Sequence, residues 1–414
     1  MKLKHTLSSL LPGIFLFGFT VGTGSVTAMA KAGADYGMTL LWTVFVSCVI
    51  TFFLLDQFGR FTLVTGETAI HAFKKHIHPA VGIFFIVALT AHVSGSVIGV
   101  MGIIADISYQ WSLNYFNHGI PRIVWAVFFI ALVYLLFLDG RTRVFEKVLA
   151  AVVGVMAICF LINYLVLAPP AMEVAAGLIP TVPPIRSGES SFLVIGSMVG
   201  TTVFSGLFIL RTTLVKEAQW TFKDLKTQRR DALFSGFLMF LVSGSIMAAA
   251  AGTLNQQGVT LTHVSEMIDL LEPVAGPMAV GIFTVGLIAA GVSSQFPNVT
   301  LLPWMLDDYH QRKPNLKRPG YRVIVLLISL LGLLVPLFDA KPIAVMIVSQ
   351  AFGALVLPVT VGCFIILGNK QSLMGAYKLN WFMNLLLLLI FSFALLMSYF
   401  SYQGLFQVFK SLPN

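Results

Sequence analysis

The sequence predicts an all-α polytopic membrane protein, and three observations carry that prediction. Apolar residues make up 57% of the 414-residue chain and charged residues only 10%, against roughly 45–50% and about 25% in soluble domains. The mean hydropathy is +0.89. The apolar residues also gather into runs of about 20, the length of α-helix that crosses roughly 30 Å of hydrocarbon. Runs such as 324–334 and 385–391 lack the alternation of a membrane β-strand. Together these exclude a soluble enzyme, a nucleic-acid binder and a disordered chain. Cys48, Cys159 and Cys363 lie far apart within apolar runs, so no disulfide framework or Cys-His metal cluster is legible.

Eleven spans are expected, at 9–31, 38–56, 80–107, 122–138, 146–168, 192–214, 232–253, 275–303, 321–338, 342–367 and 380–402. The first is too long for a signal peptide and lacks a small-residue cleavage site. The loops are short, and none is long enough for a soluble domain. One transmembrane domain therefore accounts for residues 1–414.

Orientation follows from Lys and Arg, which favour cytoplasmic loops. With the N-terminus inside, only Lys31, Arg122, Arg186, Lys341 and Lys410 fall outside, which leaves 21 of the 26 basic residues within. A cytoplasmic N-terminus and an extracytoplasmic C-terminus are expected, in a plasma (inner) membrane. The net charge of +9 thus reports topology. The bilayer is the expected partner, with no nucleic acid and no protein partner.

Two spans carry helix-weakening residues in corresponding places. Span 1 contains Gly22-Thr23-Gly24-Ser25, and span 6 contains Thr201-Thr202-Val203-Phe204-Ser205-Gly206. Five spans separate them, an odd number, so the second half runs inverted relative to the first. Paired interruptions of this kind point to the binding site of an inverted-repeat transporter. The competing reading is packing: Gly18 and Gly22, like Gly95 and Gly99, form small-xxx-small pairs that bring helices close.

Further stretches resemble one known family. Leu11-Pro12-Gly13 followed by Ser25, then Gly37-Met38-Thr39-Leu40-Leu41-Trp42, is similar to the first two helices of the natural resistance-associated macrophage protein (NRAMP) family of divalent metal transporters. The likeness continues through Val64-Thr65-Gly66-Glu67, Leu287 to Ser294, Ser349-Gln350 with Leu357-Pro358, and Leu373-Met374-Gly375. It implies the LeuT-type fold, in which two inverted five-helix repeats (1–168 and 192–367) break helices 1 and 6 around a central site, and 380–402 is an eleventh helix.

The departures from that family fall where it binds metal. Its Asp-Pro-Gly-Asn corresponds to Gly22, Thr23, Gly24 and Ser25. Its Met-Pro-His-Asn corresponds to Phe204, Ser205, Gly206 and Leu207. The resemblance therefore implies a substrate site at Gly22, Thr23, Gly24, Ser25, Thr201, Phe204, Ser205, Gly206 and Gln350, without the family's Asp, Asn and Met ligands. Gln350 matches a residue that joins the metal's coordination in the family. Transition metals want imidazole, thioether or carboxylate, whereas a hydrated Mg-like ion retains waters and takes oxygen donors. The expected acids at span ends (Asp35, Asp56, Asp106, Asp139, Asp307, Asp308 and Asp339) read as solvated caps.

Two charged or titratable residues remain. His92 lies deep in span 3, where the family has a proton-path acid, and an ionisable group at that depth is a functional candidate; the alternative is a neutral histidine bonded to Ser94, Ser96 or a carbonyl. Arg211 follows the second break and reads either as a gate or attractor for an anion, or as a snorkelling side chain. The expected function is an NRAMP-like secondary transporter of a metal cation, with no cofactor. The alternatives are a LeuT-fold transporter of a small organic or amino acid and a non-metal-transporting relative. No nucleophile-base pair suggests an enzyme.

Overall fold

The computed structural model describes residues 22–411 apart from 117, 140–141, 168, 185–189, 272–278, 314 and 317. The first part of span 1 lies outside the described residues. Its second part is α1, Thr23–Tyr36. Span 2 is α2, Leu41–Thr65, followed by the short α3, Ala69–His76. Span 3 is α4, Pro79–Phe116, span 4 is α5, Arg122–Asp139, and span 5 is α6, Thr142–Leu167, with the short α7, Ala171–Gly177, after it.

The second half repeats the order. Span 6 is divided into α8, Ser191–Thr202, and α9, Ser205–Glu217. Span 7 is α10, Leu225–Ala250, which ends in one wide turn over Ala251–Asn255. Span 8 is α11, Ala279–Tyr309. Span 9 is α12, Pro319–Leu330, continued by α13, Leu334–Phe338. Spans 10 and 11 are α14, Pro342–Gly368, and α15, Trp381–Ser411. Among the described residues nine helices are long and apolar enough to cross a membrane; α1 and α6 belong to the remaining two spans.

The packing reveals the internal symmetry. Span 1 lies against span 6, 2 against 7, 3 against 8 and 4 against 9. A pseudo-twofold axis passing between equivalent helices produces this pattern, because each helix near the axis meets its own counterpart. Spans 1, 2, 6 and 7 form one bundle, spans 3, 4, 8 and 9 a second layer, and α14 bridges them by packing on both α8 and α4. Small residues permit that bridge. A Cβ on Gly95 would stand 2.7 Å from Ser349 Oγ, and one on Gly99 would stand 3.0 Å from Met346 Cα. The packing reading of this glycine pair therefore holds for span 3.

Within the described residues, both stretches are more helical than the sequence suggested. Thr23, Gly24 and Ser25 form the first turn of α1, and only Gly22, in extended conformation at its N-cap, lies outside the helix. In span 6, Thr201, Thr202, Ser205 and Gly206 are helical, and the chain leaves the helix at Val203 and Phe204 alone. Two residues suffice because neighbouring hydroxyls take over the lost pairing, as backbone at membrane depth requires. Thr51 Oγ1 of α2 donates to the Thr202 carbonyl at 2.8 Å.

Several span-end acids are buried rather than solvated. Asp35 pairs with Lys31 at 3.0 Å with both side chains fully enclosed, and Asp307 accepts from Tyr321 and Arg318. Each has a cation or donor within the fold, which offsets part of the cost of burying the charge.

Candidate functional site

Where α1 starts and span 6 breaks, the helices enclose a cavity of about 30 Å³ lined by Gly22, Gly24, Ser25, Thr201, Phe204 and Gln350. The rest of the wall comes from α4 and α11. His92, Ser96 and Val100 recur every four residues on α4, and Ser294 and Asn298 do so on α11, so each set lies on one helix face. A cavity of this size holds about two waters, since one needs roughly 10–15 Å³.

The lining sets hydroxyls and amides beside glycines, Val100 and the Phe204 ring, and it contains no Asp, Glu, Lys or Arg. Asn298 Nδ2 donates to Ser96 Oγ at 3.2 Å, which ties the two helix faces together. Gln350 Nε2 donates to Met346 Sδ at 3.3 Å, one turn earlier on α14. A Cβ on Gly24 would stand 2.6 Å from that Gln350 nitrogen; glycine there is what lets the amide reach the cavity. The imidazole of His92 stacks on the ring of Phe204, centroids 4.7 Å apart at 29°, and His92 Nδ1 is buried with no hydrogen-bond partner. Among the described residues no group of three or more His, Cys, Asp or Glu is placed to hold a metal ion.

Four residues singled out in the sequence stand elsewhere. Thr23 faces α11, its Oγ1 only 3.2 Å from where a Cβ on Gly291 would be. Ser205 accepts a 2.7 Å hydrogen bond from Thr360 Oγ1. Gly206 packs beneath the Phe204 ring, 2.6 Å from where its Cβ would be to ring carbon Cε1. Arg211 neither faces the cavity nor snorkels. It is fully buried, paired with Asp231 of α10, and it donates to the Gln228 carbonyl at 3.1 Å. An arginine whose two terminal nitrogens are engaged in this way ties α9 to α10 and leaves the cavity without its charge.

Ser96, Ser294 and Asn298 belong to the lining although the sequence reading left them out. Their signal was present: two polar residues four apart in span 8, flanking Pro297, which gives no N–H to the preceding helical turn.

On the membrane face that carries α3, this helix docks on the end of α11. Thr68 bonds to Asp308, the Ile70 N–H donates to Asp308 Oδ2 at 3.2 Å, His71 and Gln311 meet at 2.7 Å, and Lys74 Nζ donates to the Tyr309 carbonyl at 3.0 Å. Beside it Glu67 takes hydrogen bonds from Lys75 and His76. Partial burial works against the Glu67 charge, but these bonds outweigh it and hold the carboxyl below its ordinary range.

Comparison with known proteins places this geometry. The chain is 24% identical over 387 residues to the divalent metal cation transporter MntH of Ralstonia nicotianae, covering 90% of this chain and 86% of that one. Its fold matches a crystal structure of the Eremococcus coleocola manganese transporter with a TM-score of 0.78 at 16% identity, covering 100% of this chain and 90% of the other. It also matches MhsT in complex with L-phenylalanine, with a TM-score of 0.61 at 16% identity, over 95% and 98% of the two chains. The fold is the LeuT type, with inverted five-helix repeats and an eleventh helix. Residues 14–402 match the family described as natural resistance-associated macrophage protein-like, and the chain belongs to that family.

Proposed function

We propose that this protein is a secondary active transporter that moves a metal cation across the membrane by alternating access, and that the cation keeps part of its water. The observation that carries this reading is the convergence of Gly22, Gly24, Ser25, Thr201, Phe204 and Gln350 on one small polar cavity. Family membership supplies the substrate class, because relatives such as the Ralstonia protein are named divalent metal cation transporters. The cavity supplies the rest. About 30 Å³ accommodates an ion with a water or two, not an amino-acid side chain, which favours the cation over a small organic acid. Hydroxyl and amide oxygens suit a hard ion that retains waters, and they offer a softer metal little. Within the bilayer these neutral donors replace only part of a hydration shell, so full dehydration would be costly.

His92 is the proposed proton site. Among the residues that line the cavity it is the one whose side chain can take up and release a proton, and the faces around it carry Phe204, serines and amides. Reconstituted into liposomes, the protein is expected to pass Mg²⁺ with accompanying proton movement, and Mn²⁺ poorly. His92→Gln should keep the metal flux and lose the proton movement. Flux of amino acids in place of any divalent ion would overturn the substrate assignment; proton movement that survives His92→Gln would remove His92 from the role. Thermal stabilisation in detergent gives an independent reading, because a ligand at 100 times its Kd adds about 2.7 kcal/mol.

The same reading puts the N-terminus in the cytoplasm and the C-terminus outside, supported by the charge asymmetry of the loops. Impermeant maleimide should label a cysteine introduced after Ser411 from outside intact cells and leave one introduced before Lys4 unlabelled. Labelling of both from one side contradicts the eleven-span topology.

A further inference from the structure

A second cavity, of about 400 Å³, opens between α4, α14 and α15. Its outer wall is a stripe on α15: Tyr402, Leu405, Phe406 and Phe409, spaced i, i+3, i+4 and i+7 so that they share one helix face. Three of the four are more than two-fifths exposed. Phe352 and Leu355 of α14 form the floor. At its inner end stands His92, which also lines the central cavity. Among the described residues of the lining the only polar side chains are His92, Ser349 and Tyr402, and Ser349 Oγ is already engaged with the His92 carbonyl at 3.4 Å. A polar ligand would find almost nothing to bond with here.

Beside the stripe stands the opposite chemistry. Lys410, next to Phe409 in the chain, holds its Nζ 5.0 Å above the Phe406 ring. An apolar slot at membrane depth that ends in a cation beside an aromatic ring matches one kind of molecule, an amphiphile with a hydrocarbon tail and an anionic head. A second copy of the chain would bring apolar side chains but no anion for Lys410, because α15 near this end carries no Asp or Glu.

We propose that this groove is a binding site for an anionic phospholipid, with one acyl chain lying along the α15 stripe down to His92 and the headgroup phosphate at Lys410. The tail then packs against the outer side of the same imidazole whose inner side faces the substrate cavity. The lipid thereby excludes water from a wall that would otherwise be open to the bilayer. The proposal stands independently of which ion is carried.

The test uses the full-length protein, extracted in mild detergent and measured by native mass spectrometry with phosphatidylglycerol or phosphatidylcholine of identical chains. The expected result is one tightly retained phosphatidylglycerol per chain. Lys410→Glu should remove the preference for phosphatidylglycerol, about fivefold for one basic residue near a membrane surface, and leave the protein folded, because the side chain is exposed. Leu405→Trp should fill the slot and lose retention of both lipids. Equal retention of the two lipids by the wild type, retention unchanged in both variants, or a dimer that forms through α15 with no lipid bound, would each overturn the proposal.

Discussion

Arg211→Ala is expected to lower stability by about 3–5 kcal/mol, the cost of leaving one member of a buried ion pair behind. Both side chains of the Arg211–Asp231 pair have no solvent exposure, so Asp231 would lose its arginine without gaining water in exchange. The Gln228 carbonyl loses its donor in the same change. Urea or thermal unfolding in detergent measures the loss. Arg211→Lys should restore part of it, since a lysine returns the charge but not the planar fork that reaches two acceptors. The double variant Arg211→Met with Asp231→Leu should be far less damaged than Arg211→Ala, because no charge remains buried. A double variant as unstable as the single one would show that the pair is not what holds α9 to α10.

The second large effect is a gain. Gly22→Asp, Ser25→Asn and Phe204→Met together should give the protein measurable calorimetric affinity for Mn²⁺ or Cd²⁺, where the unaltered protein shows none at micromolar concentrations. The backbone is ready for the change. Gly22 is already extended, with φ −94° and ψ −172°, at an N-cap that has no side-chain hydrogen bond; aspartate is among the residues preferred there. Phe204 occupies an equivalent N-cap of α9, with φ −69° and ψ 120°, which methionine adopts without strain. The three substitutions add a carboxylate, an amide and a thioether to a wall of hydroxyls, the donor types that borderline metals select. The gain will be partial, because Thr23 and Gly206 also depart from the family pattern. Micromolar Mn²⁺ binding by the unaltered protein would contradict this account of its ligands.

Much of the architecture was legible in the sequence because hydrocarbon imposes so few solutions. Ten spans from residue 38 onward appear as helices, with ends displaced by up to nine residues, at Phe116 in span 3 and Ser411 in span 11 as well as in span 2, which continues to Thr65. That excess comes from Asp56, Gln57 and Arg60, polar residues that end a hydropathy run without ending a helix, because Gln57 donates to Asp56 and Arg60 to the Tyr377 carbonyl. The break in span 6 was located from Thr201 to Gly206, but its width was not, because width depends on Thr51 of another helix. Arg211 illustrates the same limit. Its partner Asp231 lies twenty residues away in a stretch that reads as an ordinary basic loop, and only packing joins them. Ser96, Ser294 and Asn298 were missed for a different reason. The search followed the interrupted helices, and the unbroken ones supply half of the cavity wall.

The docking of α3 on α11 has a kinetic consequence. Four hydrogen bonds from Thr68, Ile70, His71 and Lys74 all end on the last turn of span 8 and its continuation, at Asp308, Tyr309 and Gln311. Moving α3 away from that turn would release them together, since three come from the helix and the fourth from Thr68 at its N-cap. At about 1 kcal/mol each, the step is roughly 4 kcal/mol and leaves the released form on the order of one molecule in a thousand. Any opening that separates α3 from the end of span 8 would therefore be a rare excursion of the resting molecule, and strengthening or removing these bonds would make it rarer or commoner.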